Sequence, residues 1–587
     1  MSDRLTNTIA AILLATMFFL AVFSIKDDAF TFDETAHVTA GYSYLTQKDY
    51  RLNPEHPPLI KDLAAFPLLF LNLNFPKDHP SWLQEENPVW WHQFELANQF
   101  LYHSGNNPEQ ILFWSRMPMI LLLIFLGWFL FFWTKRLFDQ KTALLALFLF
   151  SFSPTFLAHG RLVTTDVAAA FGTVISTYFW LKFLRNPSTK NIILAGLIFG
   201  LTMLFKFSLI LLIPFFAFLT LIYAWIEGKK NILKYLALAT LAGIIGLVFV
   251  IWPIYQYHIW NYPAERQIRD TQFLLDASSI PKPLVLINKW LSAQPIFRPI
   301  SQYLLGVLLA VNRTTTGNTT YFLGEISAKG WKNYFPVVYS IKEPLPFHIL
   351  TIIALLYVAW LIKKPFWQNT FWRVKNWLKI HFPEFAMLSF VILYWATSLS
   401  SNLNIGVRHL LPVFPFTMIL VAATISYWLK APFLKAKYFL LGVLIFWQIF
   451  SIVRIYPHFL SYCNQLAGGP NNCYLYVVNS NLDWGQDLKR LKKWVEENKI
   501  DKIYVDYFGG GDLKYYLKEK YLPWWGTRNP AELPKGSYLA VSANQLQGGR
   551  AFPVKGYELP SDFYNWLYRY EPPIEKIGYS IFIYRID

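Results

Sequence analysis

Residues 31–45, TFDETAHVTAGYSYL, set Asp33 and Glu34 side by side just past the first apolar segment, and NPEHPPLIK follows at 53–61. A carboxylate at such a place can act as a general base on an incoming hydroxyl, a role worth roughly 10²–10⁴ in rate. A second reading competes. Thr31 and Glu34 fit the capping box S/T-x-x-E, and acids in a first helical turn are favoured by the helix dipole. The two readings are compatible, because a helix beginning at Thr31 fixes both carboxylates. On that helix Asp33 and His37 stand at i and i+4, within hydrogen-bonding reach.

Other polar residues fall at the same ends of the apolar segments: Glu55, His56, Lys61, Arg116, His159, Arg161, Asp166, Lys342, Arg408 and His409. A charge inside a span costs roughly 2.5–3.5 kcal/mol on insertion scales, so Arg116 and Asp166 need partners or water. Pairing of Asp166 with Arg161 or Arg116 is the structural reading. Lys206, inside an apolar stretch, reads as a lysine snorkelling to the surface. Carboxylates and cations together at a membrane surface suit group transfer from a lipid-linked phosphate. One base activates the acceptor, and Lys or Arg stabilises the charge growing on the departing phosphate. There is no Walker loop, G-x-S-x-G, H-E-x-x-H or C-x-x-C. Gly509-Gly510-Gly511-Asp512 reads as a tight turn, and 480-SNLDWGQD-487 as a helix start with Asp483 in its first turn.

These side chains require a membrane frame to position them. Of the 587 residues 54% are hydrophobic and 15% charged, and the apolar ones run in long blocks. The blocks lie at 8–25, 118–133, 142–160, 164–184, 190–207, 209–225, 236–252, 345–362, 385–399, 410–429 and 438–453, about eleven spans. The first is long and lacks a convincing cleavage site, so it reads as a retained anchor. Alternate turns carry the basic residues: Lys135 and Arg136; Lys182, Arg185 and Lys190; Lys229, Lys230 and Lys234; Lys363 and Lys364; Lys430, Lys435 and Lys437. The positive-inside rule then places the N-terminus in the cytoplasm and the region after the last span outside. The net charge of +17 follows from this topology and from attraction to anionic membrane lipid, and no nucleic-acid recognition motif accompanies it.

The organisation expected is a transmembrane unit at 1–455, with outer loops at 26–110 and 254–344, and an extracytoplasmic α/β domain at 456–587. In that domain alternation predicts strands at 474–478 and 502–508 around a helix at 485–498. The aromatic stretch 81–105 reads as helices lying in the membrane interface. Cys463 and Cys473 follow the last span without metal-ligand spacing, which leaves a disulfide open.

Five segments in order, TFDETAH, NPEHPPLIK, HGRLVTTD (159–166), YFLGEISAKGWKNYFPVVYSIKEPLP (321–346) and IGVRHLLPVFPF (405–416), resemble bacterial membrane glycosyltransferases related to protein O-mannosyltransferases. This is the phospholipid-carrier-dependent group of glycosyltransferase family 39, which also holds the lipid A aminoarabinose transferases. The resemblance implies a polytopic α-helical GT-C-like fold and an inverting enzyme at the outer face of the cell membrane. Such an enzyme moves a sugar from a polyprenyl-phosphate donor to a hydroxyl on protein, lipid or glycan. It implies Asp33 as the base, with Glu34, the second acid of the catalytic pair, supporting or orienting it. Glu55-His56-Pro57 stands where aminoarabinose transferases carry Glu-Lys-Pro, whose lysine meets the lipid phosphate. With His56 in that place, Lys61, Lys342 or Arg408 is expected to supply the cation, and His37, Glu55, Arg161 and Asp166 to support the site. No cofactor is required, although Glu55 with a histidine such as His258 is a candidate for holding a divalent metal. Two other functions stay open, a flippase for lipid-linked sugars and a non-catalytic scaffold for glycan assembly. Transporters usually show inverted repeats and broken helices at the midplane, whereas no repeat is visible here and the polar residues favour span mouths.

Overall fold

A computed structural model describes residues 1–84, 90–228, 231–276, 278–362, 368–430 and 434–587. Lys229, Lys230, Lys363 and Lys364, and part of the aromatic stretch 81–105, lie outside the described residues. All eleven apolar blocks form helices. Among the described residues, eight helices are long and apolar enough to cross a bilayer: Asp3–Ser24, Pro108–Leu137, Asp166–Arg185, Phe207–Glu227, Ile232–His258, Phe382–Ser400, Val407–Leu429 and Lys435–Ile455. This is a multi-pass membrane protein.

The remaining three blocks depart from simple spans, for local reasons. The 142–160 block stops at Ser151, because Ser153-Pro154 cannot continue a helix and instead caps the short helix Pro154–His159. Thr189–Met203 is short, and packs so closely on Ile232–Gly246 that a Cβ on Gly200 would lie 2.6 Å from the Gly246 carbonyl oxygen. Leu345–Leu361 meets Tyr334–Lys342 at a 113° bend. Glu343 is extended there, as the residue before a proline tends to be.

The first connection folds over the end of the first span. Its helices Phe32–Gln47 and Leu59–Ala65 cross at Gly41, where a Cβ would lie 2.2 Å from the Lys61 carbonyl oxygen. The second connection contains helices Ala264–Asp276, Lys282–Ala293 and Arg298–Thr316, then a hairpin of Thr320–Phe322 and Glu325–Ser327. The strand Phe552–Val554 adds to this hairpin in parallel, so the chain after the last span shares a sheet with the second connection.

A five-stranded sheet organises the C-terminal region, in the order Tyr521–Pro523, Ile503–Asp506, Tyr538–Ser542, Ile581–Arg585, Glu575–Ile577. The first three strands pair in parallel, and Ile581–Arg585 runs antiparallel to both of its neighbours, Tyr538–Ser542 and Glu575–Ile577. The helix and strand expected at 485–498 and 502–508 form as Leu488–Glu497 and Ile503–Asp506. The strand expected at 474–478 does not. Gly469-Pro470 starts a tight turn through Leu475 instead, and Val477 makes one bridge to Phe322. Nor does a helix begin near Asp483. Residues 479–481 form a turn, Gly485 takes a positive φ of 96°, and the helix starts only at Leu488. Cys463 and Cys473 are joined as a disulfide.

Candidate active site

Helix Phe32–Gln47 begins as its capping box predicts, with Thr31 extended and Glu34 at the third helical position. Successive residues on a helix point about 100° apart, and here that turn separates the two acids completely. Glu34 is fully buried. Its carboxylate accepts hydrogen bonds from the Thr31 amide and hydroxyl (both 3.0 Å), from Arg116 Nε (2.8 Å) and Nη2 (2.6 Å), and from the Val163 amide (2.9 Å). With its lone pairs committed, Glu34 cannot take a proton from an acceptor; it anchors the helix that presents Asp33, a supporting place and not that of a second base.

Asp33 faces a cavity of about 510 Å³. His37, Glu55, His56, Lys206, Arg313 and Arg408 also line it, with Ile210, Leu211, Val307 and Val311 forming an apolar wall. The carboxylate and the cations form a chain. Arg408 Nη2 lies 3.2 Å from Asp33 Oδ2, Arg408 Nη1 lies 3.3 Å from Asp166 Oδ2, and Lys206 Nζ lies 2.5 Å from Asp166 Oδ1. Asp166 thus finds partners other than Arg161 or Arg116. Lys206 does not snorkel: an acid one helix away holds it at the cavity wall. Arg161 pairs with Asp28 at 2.8 Å and donates to the Ser24 carbonyl, and Arg116 pairs with Glu34 and Asp28. Arg490 joins from the C-terminal region, 2.8 Å from Asp28 and 2.6 Å from Asp487. Burial works to raise the Asp28 carboxyl, but Arg161, Arg490 and Arg116 together hold it below the usual carboxylate value.

Two of the lysines expected at the phosphate are committed elsewhere. Lys61 is fully buried, and its Nζ lies within 3.0 Å of Tyr44 Oη, the Asn53 and His56 carbonyls and Asn53 Oδ1. That cage fixes the turn carrying Glu55 and His56, and burial drives the ammonium well below its ordinary pKa. Lys342 donates to the Leu460 and Asn481 carbonyls at 2.8 and 2.5 Å. Neither lines the cavity. The four acceptors around Lys61 take up all three of its ammonium hydrogens, and the two carbonyls that Lys342 binds hold it away from the cavity.

His37 and His56 meet edge to face at 5.0 Å. The i, i+4 bond from His37 to Asp33 is not made. His37 Nδ1 donates instead to the Val163 carbonyl at 2.8 Å, and burial holds the ring below its ordinary pKa despite the pull of Asp33. Burial, then His37 and Lys61, keep His56 well below its ordinary value too. Both rings are therefore neutral at pH 7. Glu55 pairs with Arg313 at 2.7 Å, while His258 binds Asp62 at 2.9 Å and the Ile254 carbonyl. The Glu55–His258 pairing expected for a metal is therefore not assembled, and among the described residues no three His, Cys, Asp or Glu side chains form a ligand set. Lys206, Arg313 and Tyr394 are cavity residues that sequence reasoning missed. The one signal was Lys206, an unexplained charge in an apolar run.

Residues 107–254 match the profile of the dolichyl-phosphate-mannose-protein mannosyltransferase family. The matched stretch contains Arg116, Arg161, Asp166 and Lys206, and excludes Asp33 and Arg408. No curated protein matches the chain by sequence. Among solved structures, the oligosaccharyltransferase of Archaeoglobus fulgidus in its apo form aligns at 14% identity and a TM-score of 0.46, over 90% of this chain and 65% of that one. The same archaeon's AglB, in complex with an inhibitory peptide and a dolichol-phosphate, aligns at 14% identity and 0.45, over 90% and 69%. ArnT from Cupriavidus metallidurans, bound to undecaprenyl phosphate, aligns at 11% identity and 0.32, over 100% and 98%. The chain thus spans about two thirds of the archaeal enzymes' length.

Proposed function

We propose that the chain is an inverting glycosyltransferase fed by a polyprenyl-phosphate sugar, a reading that the match of residues 107–254 to the dolichyl-phosphate-mannose-protein mannosyltransferase profile supports. The observation that carries this reading is the cavity itself. A partly exposed carboxylate, Asp33, shares the cavity with the cations Arg408, 3.2 Å from it, and Lys206, beside an apolar wall. Such a space suits a ligand with a charged head and a hydrocarbon tail.

Asp33 takes the proton of the acceptor hydroxyl while that oxygen attacks the anomeric carbon. The bond from that carbon to the phosphate oxygen breaks on the opposite face, and the electron pair leaves with polyprenyl phosphate. The leaving group gains a negative charge, which Arg408 and Lys206 are placed to stabilise. Asp166 holds both cations, and Glu34 holds the helix that presents Asp33. No step is routed through a metal, and among the described residues no three His, Cys, Asp or Glu side chains are grouped to hold one.

The outer face is the proposed side of the reaction. The cavity gathers the start of Asp166–Arg185, the start of Val407–Leu429 and the chain just after Asp3–Ser24. The basic residues Lys135, Arg136, Lys182 and Arg185 lie at the opposite ends of their helices. That separation supports a cytoplasmic N-terminus and an extracytoplasmic C-terminal region in the cell membrane. The test is turnover of a panel of radiolabelled polyprenyl-phosphate sugars by the full chain in lipid nanodiscs, with a membrane extract supplying the hydroxyl acceptor. Release of free polyprenyl phosphate from one donor, abolished in Arg408→Gln, supports the reading. Release unchanged in that variant removes the cationic cradle from it.

A further inference from the structure

The segment 480–486, beyond the last span, lies against both halves of the site. Ser480 Oγ accepts a hydrogen bond from Arg408 Nε at 3.1 Å and donates to the Ile405 carbonyl at 2.5 Å. The buried Trp484 ring lies beneath the guanidinium, 4.2 Å from centroid to Cζ. Asn481 Oδ1 accepts from the Val407 amide at 2.9 Å. On the other side, the Trp484 carbonyl accepts from the amide of Phe32, the residue before Asp33, at 3.0 Å, and the Gln486 carbonyl accepts from the Ala29 amide at 2.9 Å. One short piece of chain therefore grips the elements carrying Asp33 and Arg408 at once.

We infer that Ser480 and Trp484 are positioning residues for Arg408, so that the C-terminal region completes the donor-phosphate site. The inference rests on the proposed reading of Arg408 as the cation that meets the phosphate. A guanidinium is a planar fork with five N–H groups. Nε is spent on Ser480, while Nη1 and Nη2 each face one carboxylate, Asp166 and Asp33. The stack on Trp484 fixes the plane of the fork, and the Ser480 bond fixes its rotation within that plane. The remaining N–H groups are then held in one orientation for a bidentate contact with phosphate. Without Ser480 and Trp484 the side chain keeps its charge and loses its aim.

Binding of a polyprenyl phosphate, the expected leaving group, to the purified full chain in nanodiscs isolates this role from the chemical step. Ser480→Ala deletes one oxygen and is expected to weaken binding about tenfold, the size of a lost hydrogen bond to a charged group. Trp484→Phe, which keeps a ring face, is expected to bind nearly as the wild type does, and Trp484→Leu to bind weakly. Because Ser480 acts through Arg408, the double variant Ser480→Ala/Arg408→Gln is expected to bind no worse than Arg408→Gln alone. Wild-type binding by Ser480→Ala, or additive losses in the double variant, would overturn the inference and leave the reading of Arg408 intact. Failure of the wild type to bind, or full binding by Arg408→Gln, would overturn that reading and the inference with it.

Discussion

Asp33 and Glu34 are adjacent, and replacing each by its amide separates two kinds of damage. Glu34 is fully buried and accepts five hydrogen bonds, two of them from one guanidinium. Glu34→Gln removes the charge and turns an NH₂ group toward donors. Arg116 is left with Asp28 at 3.6 Å and the Ala29 carbonyl. Removing one partner of a buried ion pair costs about 3–5 kcal/mol, a large share of a typical domain's stability of about 5–15 kcal/mol. The Asp33 side chain is 27% exposed and has one ion pair, at 3.2 Å. When Asp33 is neutralised Arg408 keeps its second carboxylate, Asp166, at 3.3 Å, so no buried charge is left unpaired and the loss stays well below that for Glu34. Thermal midpoints of the detergent-solubilised proteins, followed by size-exclusion fluorescence, should therefore fall by several degrees for Glu34→Gln and stay close to wild type for Asp33→Asn. A Glu34→Gln protein as stable as wild type, or an Asp33→Asn protein equally damaged, would refute the division of labour between the two acids.

Three further outcomes are expected. Lys61→Met removes the ammonium donor from Asn53, while the His56 carbonyl keeps the Tyr50 hydroxyl at 2.6 Å, and should cost about 1–3 kcal/mol; a thermal midpoint equal to wild type would show that the cage is dispensable. Replacing Cys463 and Cys473 by serine opens a loop with a sequence separation of 10 and should destabilise by about 3 kcal/mol on the chain-entropy account, with turnover at low temperature unchanged. Burial pushes the Asp483 carboxyl up to about 7, above an unfolded value of roughly 3.9, so its stabilising contribution is complete below about pH 4 and is lost as pH rises to about 7. Asp483→Asn should flatten that part of the stability–pH curve and be the more stable protein at pH 8; parallel curves for the two would contradict it.

Much of the frame was legible because bilayer physics writes itself into composition. Every apolar block became a helix, and the capping box at Thr31–Glu34 began one. Pairings over long sequence distance were hidden. Asp166 meets Lys206 across 40 residues and Arg408 across 242, and Glu55 meets Arg313 across 258. Local spacing suggested Arg161 for Asp166, and Arg161 was drawn away by Asp28. Lys61 and Lys342 illustrate a second limit. A lysine's charge is visible in a sequence, but the ring of carbonyls that absorbs it is assembled only by the fold. The 480–487 segment illustrates a third. Its polar residues looked like a helix cap because caps and side-chain clamps use the same residue types, and Gly485 delays the helix until Leu488.

In the proposed function Asp33 is the base in transfer from a lipid-linked donor. Its most direct test compares wild type and Asp33→Asn in nanodiscs, measuring donor binding and release of polyprenyl phosphate on the same preparations. Donor binding within a few-fold of wild type and turnover lower by about 10²–10⁴ are expected of Asp33→Asn. Equal turnover in the two proteins would remove Asp33 as the base and leave it as one end of a chain of ion pairs.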